Sequence, residues 1–353
     1  MGEAADRGLE FLRAVPLGIG TFAGVRSGDA IVAAWLDADE AARLRTLAGP
    51  REAALRFARA GDTAAAGEPM AYARAALASA RLSPRALLLA RSLHHAAEAY
   101  LHYRDRRHDD AVREVEAALA CNDAASDEHG YPGAVARRLH LAHVIVRVLR
   151  VRGDAPLAVL ETVSRLWRHA EGGEARWPLV PLARPAVPVD PRMAAITLNE
   201  IVTEAAVLMA GDPGLTGDAL AVLRPHLQAP ADAADAFAYP RAWLRLKTLR
   251  HDGEVEPFLA AAAEFLATAD GPRPLLWLDA LEDARHVCAA TGGRAGRAAA
   301  ERIAHAAAGA PGNAPASLRI GEAPATAVRA TPPRASAARW AAEPTSNLTG
   351  RSG

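Results

Sequence analysis

From residue 51 onward, apolar residues recur at i, i+3, i+4 and i+7, the spacing that gathers them on one face of an α-helix. Leu139, Ala142, His143, Val146 and Leu149 form one such stripe. The pattern predicts helices over 51–60, 67–81, 85–104, 108–121, 133–152, 155–170, 191–210, 216–227, 232–251, 255–268, 273–290 and 294–308. Shorter helices are expected over 6–14, 28–35 and 38–48. Boundary signals agree with several of these. Pro84 and Pro156 stand in first turns, where a missing N–H costs nothing. Gly153, Gly211 and Gly253 stand where helices should end.

Three stretches depart from the pattern. Residues 171–190 hold four prolines, which exclude a regular helix, beside apolar Trp177, Val180 and Leu182. They read as a packed surface loop or a hinge between two helical halves. In residues 1–50, Pro16 to Gly24 is apolar but too glycine-rich for a helix. Its glycine spacing is not the dinucleotide-binding fingerprint, so it reads as a turn or as a loop covering the first helix pair. Residues 309–353 are Ala, Pro, Ser, Thr, Arg and Gly without periodicity, a composition that predicts a disordered tail, with Trp340 its one large apolar group. The organisation expected is therefore 1–50, 51–170, 171–190, 191–308 and 309–353.

Composition strengthens the helical reading. Hydrophobic residues make up 51% of the chain and aromatics only 5%, the difference being largely Ala and Leu. Ala has the best helix propensity, and the β-branched and aromatic residues that strands favour are sparse. Acids and bases balance at 41 each, so no net field would hold nucleic acid or an anionic membrane. Among those bases Lys247 is the one lysine, a bias that fits GC-rich bacterial coding. Cys121 and Cys288 belong to no Cys-x-x-Cys pair and read as small buried hydrophobes. With no signal peptide and no membrane span in view, a cytoplasmic location is expected.

A recurring phrase then suggests repeats. Arg106-Arg107-His108-Asp109-Asp110-Ala111-Val112 leads to Ala117-Ala118-Leu119. Arg152-Gly153-Asp154-Ala155-Pro156-Leu157-Ala158-Val159 leads to Val163-Ser164-Arg165-Leu166. Arg59-Ala60-Gly61-Asp62 leads, after a longer loop, to Met70-Ala71-Tyr72-Ala73, Ala75-Ala76-Leu77 and Pro84, and Asp218 to Leu223 offers a fourth copy. The phrase resembles the tetratricopeptide repeat over 51–170, and more loosely over 191–308. The anchors Ala71, Ala111 and Ala158 are spaced wider than the family's period of about 34 residues. His95, Ala99 and His102 stand where that family has Trp, Gly and Tyr. The resemblance implies an all-α fold, an irregular solenoid of antiparallel helix pairs, whose concave surface binds a protein or peptide partner.

Candidate chemistry is thin. His95, Glu98 and His102 share a wide face of one helix, a spacing that could hold a metal, but the Glu-x-x-His pattern of helical di-metal sites is absent. His140 with His143, and Glu200 with Glu204, add a second geometrically possible His/Glu set. Asp109-Asp110 reads as helix-start chemistry. Arg137, Arg138, Arg147, Arg150 and Arg152 make 133–152 locally basic without a DNA-binding signature, leaving carboxylate or phosphate recognition open. No Ser-His-Asp, Cys-His, P-loop or His-Glu-x-x-His signature is present. Trp167, Tyr239, Trp243 and Trp277 read as core.

The sequence thus points to a cytoplasmic, tetratricopeptide-like scaffold. His95, Glu98, His102, Arg138, His143 and Asn199 are its groove candidates, with no metal or cofactor assigned and neither nucleic acid nor membrane as partner. The alternative is an all-helical enzyme with a His/Glu, metal or small-molecule pocket, for example in secondary metabolism.

Overall fold

A computed structural model describes residues 32–171, 191–228, 237–267 and 274–307. The glycine-rich N-terminal stretch, the proline-rich segment beyond Glu171, and the tail with Trp340 lie outside the described residues. Every regular element described is helical. The helices are α1 (Ala38–Ala60), α2 (Thr63–Ser79), α3 (Pro84–Arg104), α4 (His108–His129), α5 (Ala134–Arg152) and α6 (Pro156–Ala170). They continue as α7 (Pro191–Gly211), α8 (Thr216–Leu223), α9 (Ala238–His251), α10 (Val255–Ala267), α11 (Pro274–Thr291) and α12 (Gly293–Ala307).

Several boundaries differ from the expected ones, each for a local reason. The helices expected over 38–48 and 51–60 are one helix, so the division expected at residue 50 falls inside α1. Pro50 removes a single hydrogen-bond rung, while Ala41, Leu44, Ala54 and Ala58 bury the helix on both sides of it. α2 starts earlier than expected because the Asp62 carboxylate accepts a hydrogen bond from the Ala65 N–H at 2.9 Å. α4 runs past residue 121 to His129, because Asn122 and Asp123 are buried and bonded to α5 rather than forming a turn. After Leu223, Pro225 tightens the chain into a 3₁₀ turn over Arg224–Leu227. The start expected for α9 at residue 232 lies outside the described residues.

Each of α1 to α7 packs on its successor. Contacts also skip one helix: α1 meets α3, α5 meets α7, α7 meets α9, and α9 meets α11. One hydrophobic core runs from Ala99 and Val115 through Leu141, Ile145, Trp167 and Leu198 to Trp243, Leu281 and Ile303. It crosses the segment expected to hinge two halves, so residues on either side of 171–190 share a single core. Smaller clusters lie under the N-terminal helices, around Leu36, Leu44 and Leu89 and around Ala58, Met70 and Leu101. Each fully buried Leu or Val contributes roughly 1.5–3 kcal/mol. Of the three alanine anchors, only Ala111 is fully buried; Ala158 is half-buried and Ala71 exposed, its neighbour Ala73 packing in its place.

Among the described residues no single helix is long and apolar enough to cross a membrane. The segments Thr197–Gly211 and Pro213–Leu227 are apolar enough together, bent by 117°, and Leu198, Ile201, Val202, Leu220 and Leu223 spend that apolarity in the core.

Candidate functional site

The histidine-rich face of α3 does not converge. Glu98 is buried and turns toward α2, where Arg74 Nη2 donates to it at 2.5 Å and His94 Nε2 lies 3.3 Å away. Burial opposes its ionisation, but those two partners outweigh it and hold the carboxyl below its ordinary range. His95 points to the opposite neighbour, its Nδ1 2.7 Å from Glu114 on α4. His102 is half-buried near the end of α3. Successive helical residues diverge by about 100°, which separates His94 and His95 despite their adjacency.

The basic residues of α5 are occupied by this chain's own groups. Arg137 donates to the Ser92 side chain at 3.0 Å and to its carbonyl at 2.9 Å; desolvation lowers its pKa to about 10. Arg138 pairs with the buried Asp123. Arg152 donates to Asp154 at 2.7 Å and to Asp109 at 2.9 Å, while Asp110 pairs with Arg107 and Arg113. Arg147 and Arg150 both reach α7, donating through Nε to Glu204 at 2.8 and 2.7 Å. Of the groove candidates, His143, Glu98 and Asn199 are buried, and Arg138 is half-buried against Asp123. Asn199 is 1% exposed.

The α5–α7 seam is where titratable groups gather. Glu204, 2% exposed, accepts from Arg147 and Arg150 and lies 3.1 Å from Nε2 of His143, itself 3% exposed. Burial opposes the charge on Glu204, yet His143 and the two guanidinium groups prevail and hold the carboxyl far below its usual range. One helical turn earlier on α7, Glu200 Oε2 lies 3.4 Å from His143 Nδ1 and 3.6 Å from His140 Nδ1. His140 is half in solvent, so the cluster grades from a sealed carboxylate to an open edge. The i, i+3 histidines and i, i+4 glutamates are legible in sequence; their meeting across two helices is not.

Two further polar sets went unread in the sequence. Lys247 is buried between Asp279 at 3.0 Å and Asp283 at 2.7 Å, with Trp243 Nε1 donating to Asp279 at 2.7 Å and Arg250 pairing with Asp283. The one signal was a sole lysine facing acids at i, i+4 on an apolar helix. Ser164 Oγ lies 2.9 Å from His226 Nε2, and His226 Nδ1 lies 3.4 Å from Glu171, which takes 2.6 and 2.8 Å hydrogen bonds from Arg241 and Trp167. The residue types are those of an acyl-transfer triad, but the surroundings are not. Ser164 sits within α6, its hydroxyl 3.3 Å from the Val222 carbonyl, and Trp167 stacks on His226 at 4.5 Å. This set ties α6 to the turn after α8. Cys288 is buried and Cys121 half-buried, and both thiols are free.

No protein-family model, curated protein or solved structure matches the chain.

Proposed function

We propose that this chain is a tetratricopeptide-like scaffold: stacked antiparallel helix pairs in an irregular solenoid that bind a protein or peptide partner in a bacterial cytoplasm. One observation carries the reading. Odd-numbered helices meet one another in succession along α5, α7, α9 and α11, in addition to their sequence neighbours. Stacked helix pairs have this two-way contact pattern, with first helices forming one layer. The occupied arginines of α5 also support it, because the interior polar groups hold helices in register and leave recognition to the outer surface.

Affinity capture of the tagged full-length chain from its native host, with quantitative mass spectrometry, tests the reading. A partner recovered near one copy per chain is expected. Recovery of none at that abundance counts against a scaffold.

The second reading, a helical enzyme with a His/Glu pocket, is favoured by one feature, the convergence of His140, His143 and Glu200 at the α5–α7 seam.

A further inference from the structure

We infer that His140, His143 and Glu200 form a binding site for one divalent transition-metal ion of the zinc class, with Glu204 orienting His143 behind it. The inference stands independently of the scaffold reading.

The distances favour a shared ion over direct pairing. One ligand atom from each residue lies within 4.8 Å of the others. His143 Nδ1 and His140 Nδ1 stand 3.4 and 3.6 Å from the same Glu200 oxygen. A charge-assisted N–H···O bond spans about 2.7–2.9 Å, so both separations are long for one. A tetrahedral ion with bonds of about 2.0–2.1 Å sets its ligands roughly 3.3–3.4 Å apart, close to what is seen.

The second observation is His143 itself. It is 3% exposed, yet its Nδ1 has no hydrogen-bond partner. An unsatisfied buried acceptor is destabilising, and this one lies 3.4 Å from Glu200 Oε2. Its other nitrogen, Nε2, lies 3.1 Å from Glu204, so a proton on Nε2 leaves the Nδ1 lone pair directed at the site. A buried carboxylate behind a histidine is the usual support of a metal-bound imidazole. Arg147 and Arg150 keep Glu204 ionised and fixed. In the other tautomer, Nε2 accepts from Arg147 Nη2 at 3.1 Å; metal binding selects the first.

The helices set the donor chemistry. His140 and His143 share a face of α5 at i, i+3, and Glu200 comes from the packed α7. Two imidazoles and one carboxylate suit zinc, cobalt, nickel or copper, whereas calcium and magnesium favour all-oxygen sets. His140 is 53% and Glu200 22% exposed, which gives the ion a route in and leaves a fourth position to water.

Calorimetric titration of the untagged, chelator-stripped full chain with Zn2+, and visible spectroscopy with Co2+, test the site. One ion per chain and a low-symmetry cobalt spectrum are expected. His140→Ala, at a half-exposed position that leaves the fold intact by circular dichroism, and Glu200→Gln should each weaken binding at least tenfold. Glu204→Gln should keep the stoichiometry and weaken binding about 10–100-fold. Failure of the parent chain to bind either ion, or undiminished binding by both His140→Ala and Glu200→Gln, overturns the assignment.

Discussion

The ammonium of Lys247 lies 2.7 Å from the Asp283 carboxylate, and both groups are buried where α9 meets α11. Burial lowers the lysine pKa, and Asp279 pulls it part of the way back. Without the ammonium, Asp283 keeps Arg250, but among the described residues the buried Asp279 keeps only the Trp243 N–H. Lys247→Met is therefore expected to cost about 3–5 kcal/mol in urea unfolding. Adding Asp279→Leu should recover part of that loss, since a packed apolar pair replaces an orphaned acid. A loss below about 1 kcal/mol for the single variant would show that the set contributes no net pairing energy.

Acid should act in two stages. Desolvation, helped by the Arg138 charge, lowers the His169 pKa from 6.5 to about 4. The unfolded chain then takes up that proton first, so stability is full above 6.5 and declines as pH falls toward 4. Glu204 shifts the other way in charge terms: its folded pKa lies below the ordinary 4.5, so its contribution is present above 4.5 and lost as pH falls through the folded value. His169→Gln should flatten the upper stage of a urea-midpoint against pH curve and leave the lower one. Retention of the full upper slope would remove His169 as its source.

Arg106 reverses the chain after α3 at φ 60°, a left-handed conformation that costs a residue with a Cβ. The hydrogen bonds there, Arg106 N–H to Tyr103 O and Arg107 N–H to His102 O, repeat those that end α1 at Gly61, α5 at Gly153 and α9 at Gly253. Arg106→Gly is thus expected to raise stability by up to about 1 kcal/mol, read as a higher thermal midpoint. A lowered midpoint would show that the arginine side chain contributes more than its backbone strain costs.

The Ser164–His226–Glu171 set should be chemically silent. Ser164 is buried within a helix beneath the Trp167–His226 stack, so a fluorophosphonate serine probe should leave the native chain unmodified. Modification mapped to Ser164 by peptide mass spectrometry would contradict a purely structural role. His226→Phe should lower stability by about 1–3 kcal/mol through loss of the imidazole's contacts with Ser164 and Glu171.

The candidate site was half legible. His140, His143, Glu200 and Glu204 were visible as i, i+3 and i, i+4 pairs, but so was the denser His95, Glu98 and His102 set, and spacing alone favours neither. The structure sends His95 to α4 and Glu98 to α2, while it folds the seam residues toward one another. That difference depends on which face of each helix meets which neighbour.

The sequence by itself determined the helical class. Ala-rich composition, 3.6-residue periodicity and end signals such as Gly153 are local terms that act within a turn or two. Tertiary structure alone decided whether α1 would break at Pro50, how far α4 would run, and that one core would join both sides of 171–190. Those outcomes turn on burial gained between segments far apart in sequence, such as α5 with α7, or Lys247 with Asp283. A periodic stripe records that a face is buried; only packing records against what.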